Sequence, residues 1–194
     1  MSDSQMGGRK GKGCRNNIFI LDGIIHEELK RKKEPIMFQI YDYAQMFDSI
    51  NLQEAISDVY DYGFNDDMLP LVYQANSEVQ MAVNTPHGLT ERQTIKDTVL
   101  QGDTFSSILA SVQVDSIGKH CEKSEYGYKY KNKLPIPMLG LVDDIIGITE
   151  VGMKAHQMNA LINAKTAEKG LRFGPMKCKT MVVGKDNTDL ASNA

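Results

Sequence analysis

The sequence predicts an α+β fold in which helices cover one face of an antiparallel sheet. Segments with strand character and segments with helical period follow one another as strand, helix, helix, hairpin, helix, hairpin, helix, strand. Strands joined in hairpins pair antiparallel, and helices gathered beside such a sheet are typical of the α+β class. With 194 residues, of which 41% are apolar, the chain is long enough for one domain with a core.

The first third of the chain predicts two helices around one strand. Apolar residues recur at helical spacing from about Asn17 to Lys30. Ile36–Tyr41 is a short apolar run bounded by charge, which predicts a buried strand ending at Asp42. An amphipathic pattern over Leu52–Tyr60 predicts the next helix, with Asn51 as its N-cap.

A shorter helix and a hairpin are predicted next. The helix covers about Asp67–Ala75. Strand-like stretches follow at Ser77–Asn84 and Arg92–Val99, and the turn residues Thr85–Gly88 separate them. This stretch therefore predicts a hairpin that precedes the next helix.

A second hairpin is predicted to carry two acids at its tip. It follows an amphipathic helix that begins near Phe105 and runs through Ile117. The apolar stretches Ile136–Val142 and Ile145–Thr149 are joined by Asp143-Asp144. A last helix over about 151–169 and a strand over 179–183 complete the order. An antiparallel arrangement brings Asp42 and the acid pair to neighbouring strand ends.

Charge and composition limit the possible classes of function. The formal net charge of −3 argues, taken alone, against a nucleic-acid-binding protein. Positive charge is concentrated, however, in Arg9–Arg15, Lys30–Lys33 and Lys119–Lys133. Such runs are either solvated surface or contacts to phosphate, and composition does not decide between the two.

The chain shows no membrane or secretion signal. No apolar run approaches the roughly 18 residues that a membrane span needs, and Met1–Gly13 is polar and basic. We therefore expect an intracellular protein, in nucleus or cytoplasm. The three cysteines are widely spaced, which favours free thiols over disulfides or a zinc site.

Three aspartates are the candidate catalytic residues. A single aspartate at a strand end is usually a turn residue. Two divalent ions about 3.5–4 Å apart need at least two carboxylates directed to one point, because hard cations prefer oxygen ligands. Asp42 and Asp143 meet that requirement if their strands are neighbours.

Five segments resemble the motifs of reverse transcriptases, in the order of that family. Tyr41–Asp48 (YDYAQMFD), Val99–Ser107 (VLQGDTFSS) and Leu139–Ile145 (LGLVDDI) resemble the first three palm motifs. Gly170–Lys179 resembles the fourth, and Gly7–Ile25 is similar to the glycine-rich fingers segment of retrotransposon enzymes. The chain thus resembles a reverse transcriptase of the non-LTR retrotransposon type from about Gly7 to Gly184.

The resemblance implies a set of site residues. Asp42 and Asp143 would bind two Mg²⁺ ions, or Mn²⁺ in their place, and Asp144 would be a neighbouring acid that binds less directly. Phe47 would exclude ribonucleotides by its contact with the sugar, the alternative being a core side chain. Gln101 and Gly102 would line the pocket for the incoming nucleotide and template.

Lys177 stands at the place of the family's motif lysine. The resemblance implies that it protonates the pyrophosphate leaving group, and a solvated surface lysine is the alternative. Some positions depart from the family's pattern: Leu141, Val142, Thr104 and Gly174. None of these departures removes a metal ligand.

The implied enzyme is an RNA-directed DNA polymerase that uses an RNA template, a DNA primer and deoxynucleoside triphosphates. We expect a flexible basic segment over residues 1–13, partial fingers and palm over 14–185, and a flexible tail over 186–194. Further fingers strands would precede the chain and the thumb would follow it, so the thumb is absent.

Two other functions were considered. A truncated, inactive retroelement remnant that binds nucleic acid or a partner is the main alternative. A nucleotide cyclase with a related palm would need a Gly-Gly-Asp/Glu-Glu-Phe turn, which Gly140–Asp144 does not provide.

Overall fold

The computed structural model describes residues 1–31, 35–97, 99–103, 105–131 and 133–184. The helices are α1 (Cys14–Arg31), α2 (Met46–Ser49), α3 (Leu52–Asp61), α4 (Leu69–Ser77), α5 (Ser106–Lys123) and α6 (Met153–Glu168). The strands are β1 (Ile36–Tyr41), β2 (Glu78–Met81), β3 (Asn84–Thr85), β4 (Gly88–Leu89), β5 (Gln93–Lys96), β6 (Tyr128–Tyr130), β7 (Leu134–Ile136), β8 (Met138–Leu141), β9 (Asp144–Glu150) and β10 (Lys179–Val183).

The largest sheet has four antiparallel strands in the order β10-β1-β9-β8. In its register Tyr41 lies opposite Ile145, and Leu141 lies opposite Asp144. The end of β1 and the turn between β8 and β9 therefore lie side by side, at the same end of the strands of this sheet. This register places Asp42 beside the hairpin tip.

Helices α5 and α6 pack against one face of this sheet. Tyr41 and Ile145 point into a core that also contains Ile117 of α5 and Met158 and Ile162 of α6. This packing confirms the predicted α+β fold with its antiparallel sheet and helices.

The opposite face has a smaller apolar cluster. Phe38, Leu139 and Ile148 come from three neighbouring strands and pack there with Ile24 of α1 and Tyr128 of β6. Because alternate residues of a strand point to opposite faces, β1 supplies Phe38 to one cluster and Tyr41 to the other. The sheet is thus buried on both sides near its centre.

Several predicted elements have the predicted bounds or nearly so. Strands β1 and β10 match the predicted residues, and α3 begins after Asn51 as expected. The Asn51 side chain accepts a hydrogen bond from the Glu54 amide at 3.1 Å. The hairpin predicted over residues 77–99 forms two short ladders, β2 with β5 and β3 with β4.

Two regions differ from the sequence prediction. The strand predicted from Ile136 is divided at Pro137, so that Ile136 pairs with Tyr128 in the separate hairpin β6–β7. Helix α5 continues past Ile117 to Lys123. The residues beyond Ile117 are mostly polar, and among them only Gly118 and Cys121 are buried, so the amphipathic pattern is weak over this extent.

The start of the chain is paired with the main sheet. The Gly140 amide donates to the Ser4 carbonyl at 2.7 Å, and the Met6 amide donates to the Gly140 carbonyl at 2.9 Å. Ser4–Gly7 are buried. Residues 1–13 were predicted to be flexible, and the packing of Ser4–Gly7 differs from that prediction. The Gln5 side chain and the amides of Met6 and Gly7 all have hydrogen-bond partners.

The tail predicted over residues 186–194 lies outside the described residues. Across the described part of the chain, no helix combines the length and the apolar character needed to cross a membrane.

Candidate active site

The three predicted acids lie together where β1 ends and β9 begins, at one end of the strands of the main sheet. Asp42 directly follows β1, Asp143 is in the two-residue turn between β8 and β9, and Asp144 begins β9. Their proximity affects protonation. The pKa of Asp144 is raised above its ordinary value by the shielding of its carboxyl from water and then by the negative charges of Asp143 and Asp42. Asp144 is nevertheless exposed overall, so the shielding is partial.

Lys177 contacts the first acid. Its Nζ atom lies 3.0 Å from Oδ1 of Asp42, and both side chains are accessible to water. The sequence analysis left Lys177 either as a site residue or as a solvated lysine. The structure places it at the acids while leaving it exposed.

Backbone hydrogen bonds bring Lys177 to this position. Beyond β1 the chain continues to pair with the segment that follows α6. The Ala44 amide donates to the Arg172 carbonyl at 2.9 Å, and the Gly174 amide donates to the Asp42 carbonyl at 2.8 Å. The turn that starts at Gly174 then directs Lys177 back toward Asp42, since the Lys177 amide donates to the Gly174 carbonyl at 2.9 Å.

Aromatic packing supports this pairing beneath the acids. The ring of Phe173 lies between those of Tyr41 and Tyr43, with centroid distances of 4.8 Å and 4.6 Å. Burial raises the pKa of both tyrosines well above the ordinary value. They are therefore neutral phenols at physiological pH and supply packing rather than charge.

Phe47 is in the short helix α2, directly after the strand that carries Asp42. Its side chain is half-buried and packs against the larger apolar core, which includes Leu52 of α3 and Leu109 of α5. A half-buried ring is compatible with both interpretations given above, a contact to the nucleotide sugar and a core side chain.

Gln101 and Gly102 form an exposed turn before α5. The Asp103 amide donates to the Leu100 carbonyl at 3.2 Å, and Gly102 has φ of +94°. This φ is in the region where L side chains are strained, which explains the glycine. Asp103 accepts a hydrogen bond from the Phe105 amide at 3.2 Å and so orders the entry into the helix.

The predicted residues divide into two groups. In the first group, the negative charges of Asp143 and Asp42 act on Asp144, and a hydrogen bond joins Lys177 to Asp42. Phe47 and the turn Gln101-Gly102 lie on elements close to α5, without such a connection to the acids among the described residues.

A residue that the sequence analysis did not identify holds the hairpin tip. The side chain of Gln5 makes hydrogen bonds to both the amide and the carbonyl of Val142, at 3.0 Å and 3.2 Å. The two residues are 137 positions apart, and no local pattern could have connected them.

The donor set was tested for its fit to a divalent cation. Among the described residues, no group of three or more His, Cys, Asp and Glu is arranged to hold a metal ion. The acids nevertheless offer hard oxygen donors, and the pKa of Asp144 is raised by shielding from water and then by the negative charges of Asp143 and Asp42. Mg²⁺ is usually bound through one or two carboxylates plus waters and substrate phosphates, so these residues fit it.

Comparison with known families places the chain among polymerases. Residues 1–190 match the family described as reverse transcriptase (RNA-dependent DNA polymerase). The chain belongs to the reverse transcriptase family. In this reverse transcriptase domain, the strand that precedes Asp42 and the strand that begins with Asp144 are adjacent in the main sheet.

Solved telomerase structures share the fold of this reverse transcriptase domain. Telomerase from Candida albicans in complex with a TWJ fragment of telomeric RNA is 15% identical, with a TM-score of 0.63, over 91% of this chain and 31% of that one. Apo telomerase from Candida tropicalis, truncated from its C-terminal domain, is 14% identical, with a TM-score of 0.64, over 96% and 37%. The domain therefore spans about a third of the telomerase chains that it matches. The comparison with curated proteins found no match.

Proposed function

We propose that this reverse transcriptase domain adds deoxynucleotides to a primer 3′-OH on an RNA template, as the fingers and palm of a non-LTR retrotransposon polymerase. One observation carries the proposal. In a chain that matches the family over residues 1–190, Asp42 and the pair Asp143-Asp144 lie at neighbouring strand ends. The retrotransposon origin rests on the glycine-rich segment Gly7–Ile25.

Asp42 and Asp143 are the proposed metal ligands. Two Mg²⁺ ions, or Mn²⁺ in their place, would lower the pKa of the primer hydroxyl and neutralise charge on the triphosphate. Asp144 contributes negative charge beside them. Because these carboxylates are held by sheet register, their positions are set before the substrate arrives, and such preorganisation favours catalysis.

Lys177 is the proposed general acid. Its exposed ammonium group is held at the acids by the ion pair with Asp42. A lysine there can donate a proton to the departing pyrophosphate, provided that it leaves Asp42 when substrate and cations bind. The turn from Gly174 to Lys177 keeps it within reach.

The nucleotide pocket is proposed to lie between α2 and the turn before α5. Phe47 would contact the deoxyribose and exclude a 2′-OH. Gln101 and Gly102 would lie against the incoming nucleotide and the template, since glycine permits close approach of the backbone. Template sequence is then copied by base pairing, so the protein contacts backbone and shape.

A second candidate is an inactive remnant that binds nucleic acid or a partner. The pairing of Lys177 with Asp42 favours it, because an ammonium group already neutralises one proposed metal ligand.

Primer extension on an RNA template distinguishes the two candidates. We expect Mg²⁺-dependent incorporation that Asp42→Asn or Asp143→Asn abolishes without loss of folding. Asp66→Asn, which changes an exposed aspartate away from the site, is the matched control and should retain the parent rate. The inactive remnant would be established instead if the parent protein bound template without incorporating nucleotides, and if a longer protein that includes the flanking coding sequence did the same.

A further inference from the structure

The tip of the acid-bearing hairpin has an unusual backbone conformation. Val142 and Asp143 form a two-residue turn between β8 and β9, and Val142 has φ of +58°. Tight hairpin turns need positive φ at this position and ordinarily use Gly or Asn there. A β-branched residue in this region is strained, so surrounding contacts must hold it.

The side chain of Gln5 supplies those contacts. Its Oε1 accepts hydrogen bonds from the amides of Val142, at 3.0 Å, and Gly7, at 2.7 Å, while its Nε2 donates to the Val142 carbonyl at 3.2 Å. One side-chain amide thus binds both polar backbone groups of Val142, as a neighbouring strand would. Gln5 is 0% exposed, so water does not compete for these bonds.

Two glycines leave room for this arrangement. A Cβ at Gly7 would lie 2.5 Å from the Val142 nitrogen, a distance that real Cβ atoms do not show. A Cβ at Gly140 would lie 3.2 Å from Nε2 of Gln5. The close approach of this segment to the hairpin tip therefore requires glycine at position 7, and a side chain at position 140 would push against the Gln5 amide.

The same segment is anchored independently on α5. The Ser4 hydroxyl donates to a carboxylate oxygen of Glu122 at 2.6 Å, and the Ser2 amide donates to Asp115 at 2.8 Å. The contacts of Ser2 and Ser4 with α5 therefore position the backbone of Gln5 independently of its own contact with the hairpin tip. Its amide is a fixed support for Val142.

We propose that Gln5 is a positioning residue for the catalytic acids, acting through the peptide group between Val142 and Asp143. The carbonyl that Nε2 holds belongs to that peptide group, so its orientation sets the direction in which the Asp143 side chain leaves the turn. Without Gln5, Val142 relaxes toward an ordinary φ and rotates Asp143 away from Asp42. This inference rests on the proposed function of Asp143 as a metal ligand.

The test compares two variants of the same segment in the 194-residue protein. Gln5→Met keeps the volume of the side chain but removes all three hydrogen bonds. Ser4→Ala, the matched control, removes one partly buried hydrogen bond from the adjacent residue and leaves the tip untouched. Amide hydrogen exchange at Val142 is measured without metal, and Mn²⁺ binding is measured by electron paramagnetic resonance.

We expect Gln5→Met to accelerate exchange at the Val142 amide at least tenfold and to weaken Mn²⁺ binding about tenfold. Ser4→Ala should change each by less than about twofold. Gln5→Glu retains the acceptor for both amides, so it should restore part of the protection at Val142. It also provides a second variant if Gln5→Met does not fold.

Exchange at Val142 that is unchanged in both Gln5 variants would overturn the proposal, as would accelerated exchange with parental Mn²⁺ binding. Asp143→Asn separates this failure from that of the proposed function. If Asp143→Asn binds Mn²⁺ like the parent, the metal assignment is wrong, and the positioning of Asp143 as a metal ligand is overturned with it. If Asp143→Asn loses binding while Gln5→Met does not, only the role of Gln5 is refuted.

Discussion

Lys177 holds its ammonium nitrogen 3.0 Å from a carboxylate oxygen of Asp42. The pair joins the strand that ends at the proposed metal site to the segment that follows α6. A divalent cation bound at the proposed site would compete with the lysine for the same carboxylate. The competition has consequences that binding and rate measurements can separate.

Lys177→Met should strengthen Mn²⁺ binding while it slows nucleotide incorporation. Loss of the ammonium group frees Asp42, and an exposed ion pair contributes at most about 1 kcal/mol, so affinity should rise by up to about fivefold. Loss of a general acid should lower the rate by about 100-fold or more. Mn²⁺ titration and single-turnover primer extension measure the two effects.

Lys177→Arg is the control for charge, because arginine keeps the positive charge but does not release its proton. It should bind Mn²⁺ like the parent and still incorporate slowly. A parental rate in Lys177→Met would show that this lysine is solvated surface.

Asp144→Asn should stabilise the metal-free protein at neutral pH. The pKa of Asp144 is raised in the folded state, so the unfolded chain loses this proton first as pH rises. Ionised Asp144 therefore opposes folding above its ordinary pKa, and its replacement by a neutral amide removes that cost. Thermal unfolding of both proteins in a chelator, from about pH 3 to pH 7, measures the difference.

The stability gap between Asp144→Asn and the parent should widen as pH rises through that window and then level off. Added Mg²⁺ should narrow it, because a cation offsets the repulsion among the acids. A gap that is independent of pH would show that the pKa of Asp144 is not raised in the folded protein.

Phe47→Val should increase incorporation of ribonucleotides relative to deoxyribonucleotides. A smaller side chain leaves room for a 2′-OH, although loss of packing at this half-buried position should also cost about 1–3 kcal/mol of stability. Phe64→Val is the matched control, since Phe64 is also half-buried against the same core. Competition assays with paired nucleotides give the selectivity of each variant.

Phe64→Val should lose similar stability and keep its sugar selectivity. Equal selectivity in both variants would mean that Phe47 is a core residue and that sugar discrimination lies elsewhere.

The 194-residue chain alone should bind primer-template weakly and extend primers poorly. It spans about a third of the telomerase chains that share its fold, and phosphate contacts supply most of the affinity of polymerases for nucleic acid. A protein extended on both sides by its flanking coding sequence should extend primers far better. Primer extension by both at equal folded concentration, over a series of salt concentrations, measures this difference.

Strongly processive synthesis by the 194 residues alone would contradict that expectation. It would also show that the residues needed for catalysis lie within the chain.

The sequence predicted most elements of the fold because their signals are local. The strand Ile36–Tyr41 is an apolar run with charge on both sides, and Asn51 is a strong N-cap, so neither depends on distant residues. The predicted strand ends indicated Asp42 and the acid pair, and the family resemblance assigned their roles and added Lys177. In the structure these residues lie close together at one end of the strands of the main sheet.

The features that the sequence did not predict depend on long-range partners. Asp115 looks like a surface residue of α5, yet its carboxylate is buried with the hydroxyl of Tyr62 and with Ser2, which are distant in the sequence. The contact between Gln5 and Val142 was missed for the same reason. Polar residues near the start of the chain carried no local sign that they would be buried.

The pairing of Ser4–Met6 with Gly140 also affects whether a strand of another protein molecule can add to the main sheet. Strand β8 lies at one edge of the main sheet, and an open edge is a template on which a strand from another molecule can add. Hydrogen bonds from the first residues of the chain already occupy both backbone groups of Gly140 on that side. The beginning of the chain thus closes this edge of the sheet and protects the protein from edge-to-edge aggregation.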